Sequence, residues 1–346
     1  MNGYQRIKAA MQRQQPDRIP LIEFFIHRRV IDGLCSGGEY FDLVEKLDLD
    51  GVCVGGRHLP KHEETSENVL VNEWGVRFGR TAEAYAPIEG PIVSEADLAR
   101  FEPPDPYHPD MVADLHKAVA RFKGKRFILY HTRSDFMSAA DVHGLTNLLT
   151  DFVLNPTLAH GVIKLINDYY CKVARRAIEE GADGISFGDD WAFNTGPMMS
   201  PKHFKEFVLP YFTRSVRTVK EAGGFVLKHS DGNLWSILDM IIGTGIDVIN
   251  PIQPDAGMDI GEVKQKYGHR VCLAGNINCG YTLSEAPVSQ VVREVKDAIR
   301  KAGPGGGYIM QSSNSLHSSV RPENYKAMVD ATRAFGKYPL DMAALE

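Results

Sequence analysis

The segment His229-Ser230-Asp231 is the part of the sequence whose residue types and spacing point most directly to chemistry. In an extended backbone, residues i and i+2 face the same side, so the imidazole of His229 and the carboxylate of Asp231 converge on one point. Such a pair can chelate a divalent metal or form a proton-transferring imidazole–carboxylate pair. The alternative is a histidine that is merely oriented by a hydrogen bond to its neighbour.

A second acidic segment, Asp189-Asp190-Trp191, follows another apolar run. Neighbouring strand residues alternate between faces, so we expect one carboxylate to enter a site and the other to cap the following helix. A buried, unpaired carboxylate is costly, and the inward one should therefore meet a metal, a cation or a substrate donor. Cys279 could add a soft metal ligand, although a lone cysteine is more often a small apolar filler.

These residues lie among eight short apolar runs that alternate with longer amphipathic helical patterns. Continuous apolar strands separated by helices indicate a parallel sheet that is buried on both faces, and eight such units close a (β/α)8 TIM barrel. We therefore predict one domain over residues 1–346, with an insertion at about 57–125 folded over the barrel mouth. The predicted strands are Ile19–Phe25, Gly51–Gly55, Phe127–Thr132, Gly184–Gly188, Gly224–Lys228, Gly245–Ile249, Arg270–Ala274 and Gly307–Gln311.

In such a barrel, the residues just past the carboxyl ends of the strands point into the active site. Seven of the eight predicted ends carry polar groups, which is denser than loop solubility requires, although any one of these groups could be an ordinary solvated loop residue or cap. The predicted catalytic residues are His229, Asp231 and Asp189. The predicted substrate-binding residues are Asp190, Trp191, His131, Asn250, Gln253, Asn276 and Asn314. The predicted metal ligands are His229, Asp231 and Cys279.

Composition narrows the class of protein. The 346 residues carry a net charge of −5 with both signs mixed along the chain, which argues against a nucleic-acid or membrane-surface partner. The five cysteines form no C-x-x-C pair, as is typical of a reducing compartment. No stretch approaches the ~20 apolar residues that span a bilayer. We expect a soluble, cytoplasmic protein.

Several segments, in order and spacing from residue 4 to about 335, together resemble the uroporphyrinogen decarboxylase superfamily. The resemblance is carried by Arg6 with Pro16-Asp17-Arg18-Ile19-Pro20, Gly181-Ala182-Asp183-Gly184, Pro210-Tyr211, His229-Ser230-Asp231-Gly232-Asn233, Gly245-Ile246-Asp247-Val248-Ile249-Asn250-Pro251, Gly275-Asn276-Ile277, Gly306-Gly307-Tyr308-Ile309 and Pro322-Glu323-Asn324.

The superfamily has two large branches, and the sequence departs from the motif of each. Uroporphyrinogen decarboxylases carry Arg-Gln-Ala-Gly-Arg after the first strand, where this chain reads Glu23-Phe24-Phe25-Ile26-His27-Arg28-Arg29. Corrinoid-dependent methyltransferases that act on coenzyme M hold zinc with His-x-Cys and a later cysteine. The corresponding positions here resemble His229 and Asp231, with Asn314 or Ser315 near the third. This pattern indicates a harder, oxygen-richer metal site.

The resemblance to the methyltransferase branch implies the transfer of a methyl group from a small donor, for example a methoxylated aromatic compound, to cob(I)alamin on a separate corrinoid protein. It also implies a divalent metal, with zinc favoured, that acts on the donor oxygen. A decarboxylase of the uroporphyrinogen decarboxylase type, acting on a carboxylated substrate, is the alternative, and a catalytically silent ligand-binding barrel is the third. Because an octacarboxylate needs several guanidinium groups, we further predict a cavity too poor in cations for a porphyrinogen.

Overall fold

The computed structural model describes residues 1–56, 60–65, 69–80 and 85–346. Its strands, in chain order, are β1 (Gly51–Gly55), β2 (Pro60–Thr65), β3 (Val69–Asn72), β4 (Arg77–Arg80), β5 (Tyr85–Glu89), β6 (Phe127–Arg133), β7 (Gly184–Gly188), β8 (Ala192–Phe193), β9 (Gly196–Pro197), β10 (Phe225–His229), β11 (Val248–Asn250), β12 (Cys272–Ile277) and β13 (Tyr308–Ser312).

The helices surround the strands. They are α1 (Gly3–Met11), α2 (Arg28–Leu34), α3 (Tyr40–Lys46), α4 (Glu95–Arg100), α5 (Ala113–Phe122), α6 (Asp135–His143), α7 (Leu145–Leu154), α8 (Pro156–Glu179), α9 (Pro201–His203), α10 (Leu209–Glu221), α11 (Leu238–Gly243), α12 (Ile260–Tyr267), α13 (Val288–Ala302) and α14 (Pro322–Phe335). In the part of the chain that the structure describes, no helix is long and apolar enough to cross a bilayer.

Seven strands form a curled parallel sheet in the order β1-β6-β7-β10-β11-β12-β13. Each corresponds to one of the predicted runs, although β11 and β12 begin two or three residues later than predicted. Alternate residues separate the two faces of the sheet. Leu129 and Leu227 belong to an inner apolar cluster, whereas Ile128 and Val226 pack in the larger cluster with the surrounding helices. Burial on both faces explains why these strands read as continuous apolar runs.

The first predicted strand, Ile19–Phe25, is not a regular strand, and this expectation was wrong. It makes only isolated bridges, such as Leu21 with Met310. Pro20 has no amide hydrogen, and the amide of Leu21 donates to the carboxylate of Asp50 at 2.9 Å instead of to a strand partner. The segment still lies between the two edge strands. Its Leu21 carbonyl accepts from the Asp50 amide, and its Pro20 carbonyl accepts from the Met310 amide.

Helix α1 packs across the amino-terminal ends of the strands. Ile7, Ala10 and Met11 lie in the inner apolar cluster, and the ring of Tyr4 stacks on Phe127 with 6.1 Å between centroids. Its apolar side chains cover the inner cluster of the sheet at the end opposite the predicted site.

A π-helical turn, Phe204–Val208, separates the short helix α9 from α10. Pro210 lies just after this turn and lacks the amide hydrogen that would bond to the carbonyl of Glu206. An added residue in the turn accommodates the missing hydrogen bond, as is typical of π-bulges.

The described parts of the predicted insertion contain an antiparallel sheet in the order β2-β3-β4-β5, followed by α4 and α5. Helix α5 contacts β1 and β6, as the helix of a β/α unit does. The added structure therefore consists of the small sheet and α4, while α5 belongs to the main fold.

Asp50 connects the irregular first segment to the rest of the sheet. Its buried carboxylate accepts from the Leu21 amide and lies 3.0 Å from Arg6 and 3.1 Å from Arg18. We expect Asp50→Ala to lower the free energy of unfolding by about 2–3 kcal/mol, because the Leu21 amide loses its acceptor and two partly buried arginines each lose one of their two carboxylate partners. Urea unfolding followed by circular dichroism measures this loss.

Asp50→Asn is the matched control, because its amide oxygen can still accept from Leu21 while the charge is lost. It should cost less than the alanine variant. Equal stability of wild type and Asp50→Ala would show that the edge strands are held by other contacts.

Candidate functional site

A cavity of about 730 Å³ lies at the carboxyl ends of the strands, within the size range of ligand-binding sites. His131, Asp190 and His229 line it from three strand ends, and Phe24 lines it from the end of the irregular first run. Phe78 of the small sheet also contributes to its wall. The main sheet and the small sheet therefore both form this cavity.

Asp190, His229 and Asp231 form a compact group in the described part of the chain, with potential ligand atoms all within 4.8 Å of one another. Nε2 of His229 lies 3.7 Å from Oδ1 of Asp231 and 4.0 Å from Oδ1 of Asp190. His229 is the last residue of β10, and Asp190 follows β7, the neighbouring strand. Strand pairing therefore brings Asp190 next to His229 and Asp231, which lie about 40 residues further along the chain.

Asn250 sets the orientation of His229. Its Oδ1 lies 2.7 Å from Nδ1 of His229, while its Nδ2 donates to Oε1 of Gln311 at 2.7 Å and to the Ala274 carbonyl at 3.3 Å. Because the amide nitrogen is used as a donor, the amide oxygen must accept from Nδ1–H. In neutral His229, the lone pair on Nε2 then faces the two carboxylates.

Asp231 has one satisfied and one unsatisfied oxygen. Its Oδ2 accepts a hydrogen bond from the side-chain amide of Asn314, whereas its buried Oδ1 has no hydrogen-bond partner. Burial raises the pKa of Asp231, nearby Asp190 raises it further, and His229 opposes this shift. A buried oxygen without a donor is unfavourable, and a cation or a protonated ligand at this point would remove the penalty.

Asp189 has a different role from its neighbour Asp190. Its carboxylate accepts from the amides of Phe136 and Met137 at 2.9 and 2.6 Å and from Nε1 of Trp191 at 3.0 Å. Both oxygens are therefore engaged in holding the first turn of α6. The alternation of the acidic pair is as expected, but the capped helix precedes Asp189 in the chain instead of following it.

Trp191, which the sequence led us to expect in contact with substrate, is fully buried and is not among the described residues that line the cavity. The ammonium of Lys228 sits 3.7 Å from the centroid of its ring and donates to the backbone carbonyls of Asp189 and His229. Burial lowers the pKa of Lys228 to about 8. Lys228 was not among the residues predicted from the sequence; the available signal was a lysine near the end of an otherwise apolar run.

The other predicted residues support loops or line the cavity. His131 lies in the cavity wall with Nδ1 3.1 Å from the Ser186 hydroxyl. Oε1 of Gln253 accepts from the Gly232 amide at 2.7 Å, and Nδ2 of Asn276 donates to the Ile252 carbonyl at 3.2 Å. The side chains of Gln253 and Asn276 therefore hold the backbone of the loops at Gly232 and Ile252 in place.

Cys279 lies outside the group formed by Asp190, His229 and Asp231. Its buried sulfur accepts a hydrogen bond from the Ser313 hydroxyl at 3.5 Å, and burial raises the pKa of the thiol. The carboxylate of Asp190 instead joins the two ligands predicted from the sequence.

Among the described residues that line the cavity, Arg133 is the one arginine, and it is paired with Asp141 at 2.7 Å. Arg28 pairs with Asp32 at 2.8 Å on α2, and Arg29 donates to the Ser318 carbonyl at 3.2 Å. Neither of these two arginines lines the cavity. The described residues that line the cavity therefore present few cations to a ligand.

The curled parallel sheet, with its cavity at the carboxyl ends of the strands, defines an α/β enzyme fold of the TIM-barrel type. A methyltransferase from Methanosarcina mazei has a similar structure, with a TM-score of 0.77 at 18% identity over 97% of this chain and 99% of that one. This similarity establishes the fold.

The family follows from the sequence comparison. The model of the uroporphyrinogen decarboxylase (URO-D) family matches residues 69–335, and the chain belongs to that family. Uroporphyrinogen decarboxylase of Methylibium petroleiphilum is 24% identical over 268 residues, which cover 71% of this chain and 69% of the relative. That of Vibrio cholerae is 25% identical over 281 residues, covering 76% and 74%. The superfamily inferred from the motifs is confirmed.

The buried ammonium of Lys228 predicts a specific pH dependence of stability. The folded-state pKa lies below the ordinary value of 10.5, so the unfolded chain binds more protons at this residue between about pH 8 and 10.5. Across that window, stability should therefore rise with pH, on the order of 1.4 kcal/mol per pH unit at most. The measurement is the free energy of unfolding of wild type minus that of Lys228→Met at several pH values.

Because wild type and Lys228→Met share all other titrating groups, the pH dependence due to those groups cancels in this difference. A difference that stays constant between pH 8 and 10.5 would contradict the lowered pKa of Lys228 in the folded protein.

Proposed function

We propose that this protein is a methyltransferase that moves a methyl group from a small donor, such as a methoxylated aromatic compound, to cob(I)alamin on a separate corrinoid protein. The observation that carries the proposal is the unsatisfied, buried Oδ1 of Asp231, which faces Nε2 of His229 beside Asp190. This group lies at a cavity large enough for a small organic donor.

The proposed reaction has a simple balance. The cobalt(I) electron pair attacks the methyl carbon, a cobalt–carbon bond forms, and the carbon–oxygen bond breaks with its electron pair left on the donor oxygen. Cobalt becomes formally cobalt(III), and the oxygen must acquire a proton or a compensating positive charge. The protein therefore needs a proton or a cation where the oxygen departs.

Asp190, His229 and Asp231 can provide this in two ways. Two carboxylate oxygens and one imidazole nitrogen fit a divalent metal, with zinc favoured, and the unsatisfied oxygen of Asp231 supports that fit. When bound, such a metal supplies Lewis-acid stabilisation of the donor oxygen. Without it, the protonated form of His229 would deliver the proton from Nε2, with Asn250 holding the ring in position through Nδ1.

Other parts of the chain serve the same proposal. His131, in the cavity wall, would contact the donor, and Asn314 would hold Asp231 in place. The small sheet, which contributes Phe78 and Pro87 to the cavity wall, would form part of the surface that receives the corrinoid protein. We further propose that the chain forms one domain, in which residues 19–26 take the place of the eighth strand and close the barrel. We also propose that the protein works in the cytoplasm and has no nucleic-acid or membrane partner.

A decarboxylase of a smaller carboxylated substrate is the second candidate. It is favoured by the family match and by the curated names of the relatives. It would use the same acidic and imidazole groups without a corrinoid. The few cations in the described cavity wall argue against uroporphyrinogen itself, because its carboxylates need several bidentate partners.

The central experiment is methyl transfer. The protein is incubated with cob(I)alamin and a panel of methylated donors while the corrinoid spectrum is followed. We expect turnover with at least one donor and a loss of at least ~100-fold in His229→Ala, because the metal ligand or proton donor is removed. His317→Ala is the matched control and should retain the wild-type rate, since His317 does not line the cavity.

Near-native turnover of His229→Ala would show that this histidine is only a packing residue. Decarboxylation of uroporphyrinogen at a rate comparable to the reaction with any methyl donor would favour the second candidate.

The ligand set is tested by zinc binding alone. We expect Asp231→Asn to weaken zinc binding at least ~10-fold, measured by competition with a chromophoric chelator, because a neutral amide replaces an anionic ligand. Cys279→Ala should bind zinc as wild type does, since its thiol lies outside the group. The reverse result would place the metal on Cys279.

A further inference from the structure

A second, smaller cavity of about 210 Å³ lies between the small sheet and the helices of the main fold. Leu70, Trp74, Val76 and Phe78 form one side of it, and Tyr170 of α8 lies on the other. These walls are apolar and largely aromatic. An apolar cavity of about 150 Å³ is already large enough to bind benzene, so this one has room for an aromatic ring.

The polar groups of the small cavity are concentrated in α6 and at the end of β6. Nη2 of Arg133 pairs with Asp141 at 2.7 Å, and Nε donates to the Ser138 hydroxyl at 3.2 Å. A guanidinium has five N–H donors, so these two contacts leave donors for a ligand. The side chain of Arg133 is 33% exposed, which shows that part of it remains accessible.

Arg133 also connects this cavity to the larger one. Arg133, Asp141 and Phe78 line both cavities. Arg133 and His229 are each in register with Gly188, on either side of β7. Because neighbouring strands lie about 4.8 Å apart, the Cα atoms of Arg133 and His229 should be about 10 Å apart. One extended small molecule can therefore contact both residues.

We propose that the small cavity binds the non-reacting end of the substrate, and that this end is an aromatic ring. Arg133 contacts a hydrogen-bond acceptor, such as a carboxylate or carbonyl group, between this ring and the methyl ether that reacts, so the ether is not attached directly to this ring. The reacting end lies beside Asp190, His229 and Asp231. This inference rests on the proposed function for the identity of the reacting end, but the ring-binding cavity can be tested without any turnover.

Benzoate is a suitable probe, because it combines a ring with one acceptor group. We expect isothermal titration calorimetry with the whole protein to detect benzoate binding, and acetate to bind at least ~10-fold more weakly because it lacks the ring. Leu70→Trp places a larger side chain in the cavity and should weaken benzoate binding at least ~10-fold. Leu154→Trp makes the same change at an exposed position of α7 and should bind benzoate as wild type does.

Absence of benzoate binding, or equal affinity in wild type and a folded Leu70→Trp, would overturn the proposal. If Leu70→Trp does not fold, Phe78→Ala replaces it, because the enlarged cavity should improve binding of 2-naphthoate relative to benzoate at least about threefold. No such gain would also overturn the proposal. Methyl transfer does not enter these measurements, so a failure of the proposed function leaves their outcome intact.

Discussion

The buried ammonium of Lys228 is the interaction on which the geometry of the site depends. A charge removed from water must be compensated by partners, and Lys228 obtains them from the carbonyls of Asp189 and His229 and from the ring of Trp191. These contacts fix the ends of β7 and β10 relative to each other. Asp190 directly follows Asp189, and His229 itself carries one of the bonded carbonyls, so the acidic and imidazole groups are held by a charge beneath them.

Two buried carboxyl groups, those of Asp189 and Asp135, position the cavity wall. Asp189 holds the first turn of α6 through two amides, and Asp135, whose pKa burial raises to about 7, accepts from Asn167 of α8. Asn167 also donates to Ser215 of α10. Three helices are thus connected by buried hydrogen bonds to the strand ends. Rigid support of this kind is what keeps reacting groups within the small tolerance that catalysis requires.

Two features of the strand-end cavity bear on the kind of ligand it can bind. The described cavity wall has one arginine, already paired with Asp141, and a small antiparallel sheet adds an apolar compartment beside it. Together these features favour a small, partly aromatic ligand over a large polyanion. The chemistry we propose needs only one cationic or proton-donating point, which Asp190, His229 and Asp231 can provide.

Local periodicity in the sequence determined seven of the strands, the position of the site at their ends, and the convergence of His229 and Asp231, because each depends on neighbours along the chain. Only the tertiary structure decided that Asp190 joins them, that Trp191 is buried and that Asn250 orients His229. It also decided that residues 19–25 bond through the carboxylate of Asp50 instead of forming a regular strand. These outcomes depend on contacts between distant segments, and the composition of a segment does not specify the groups it will meet.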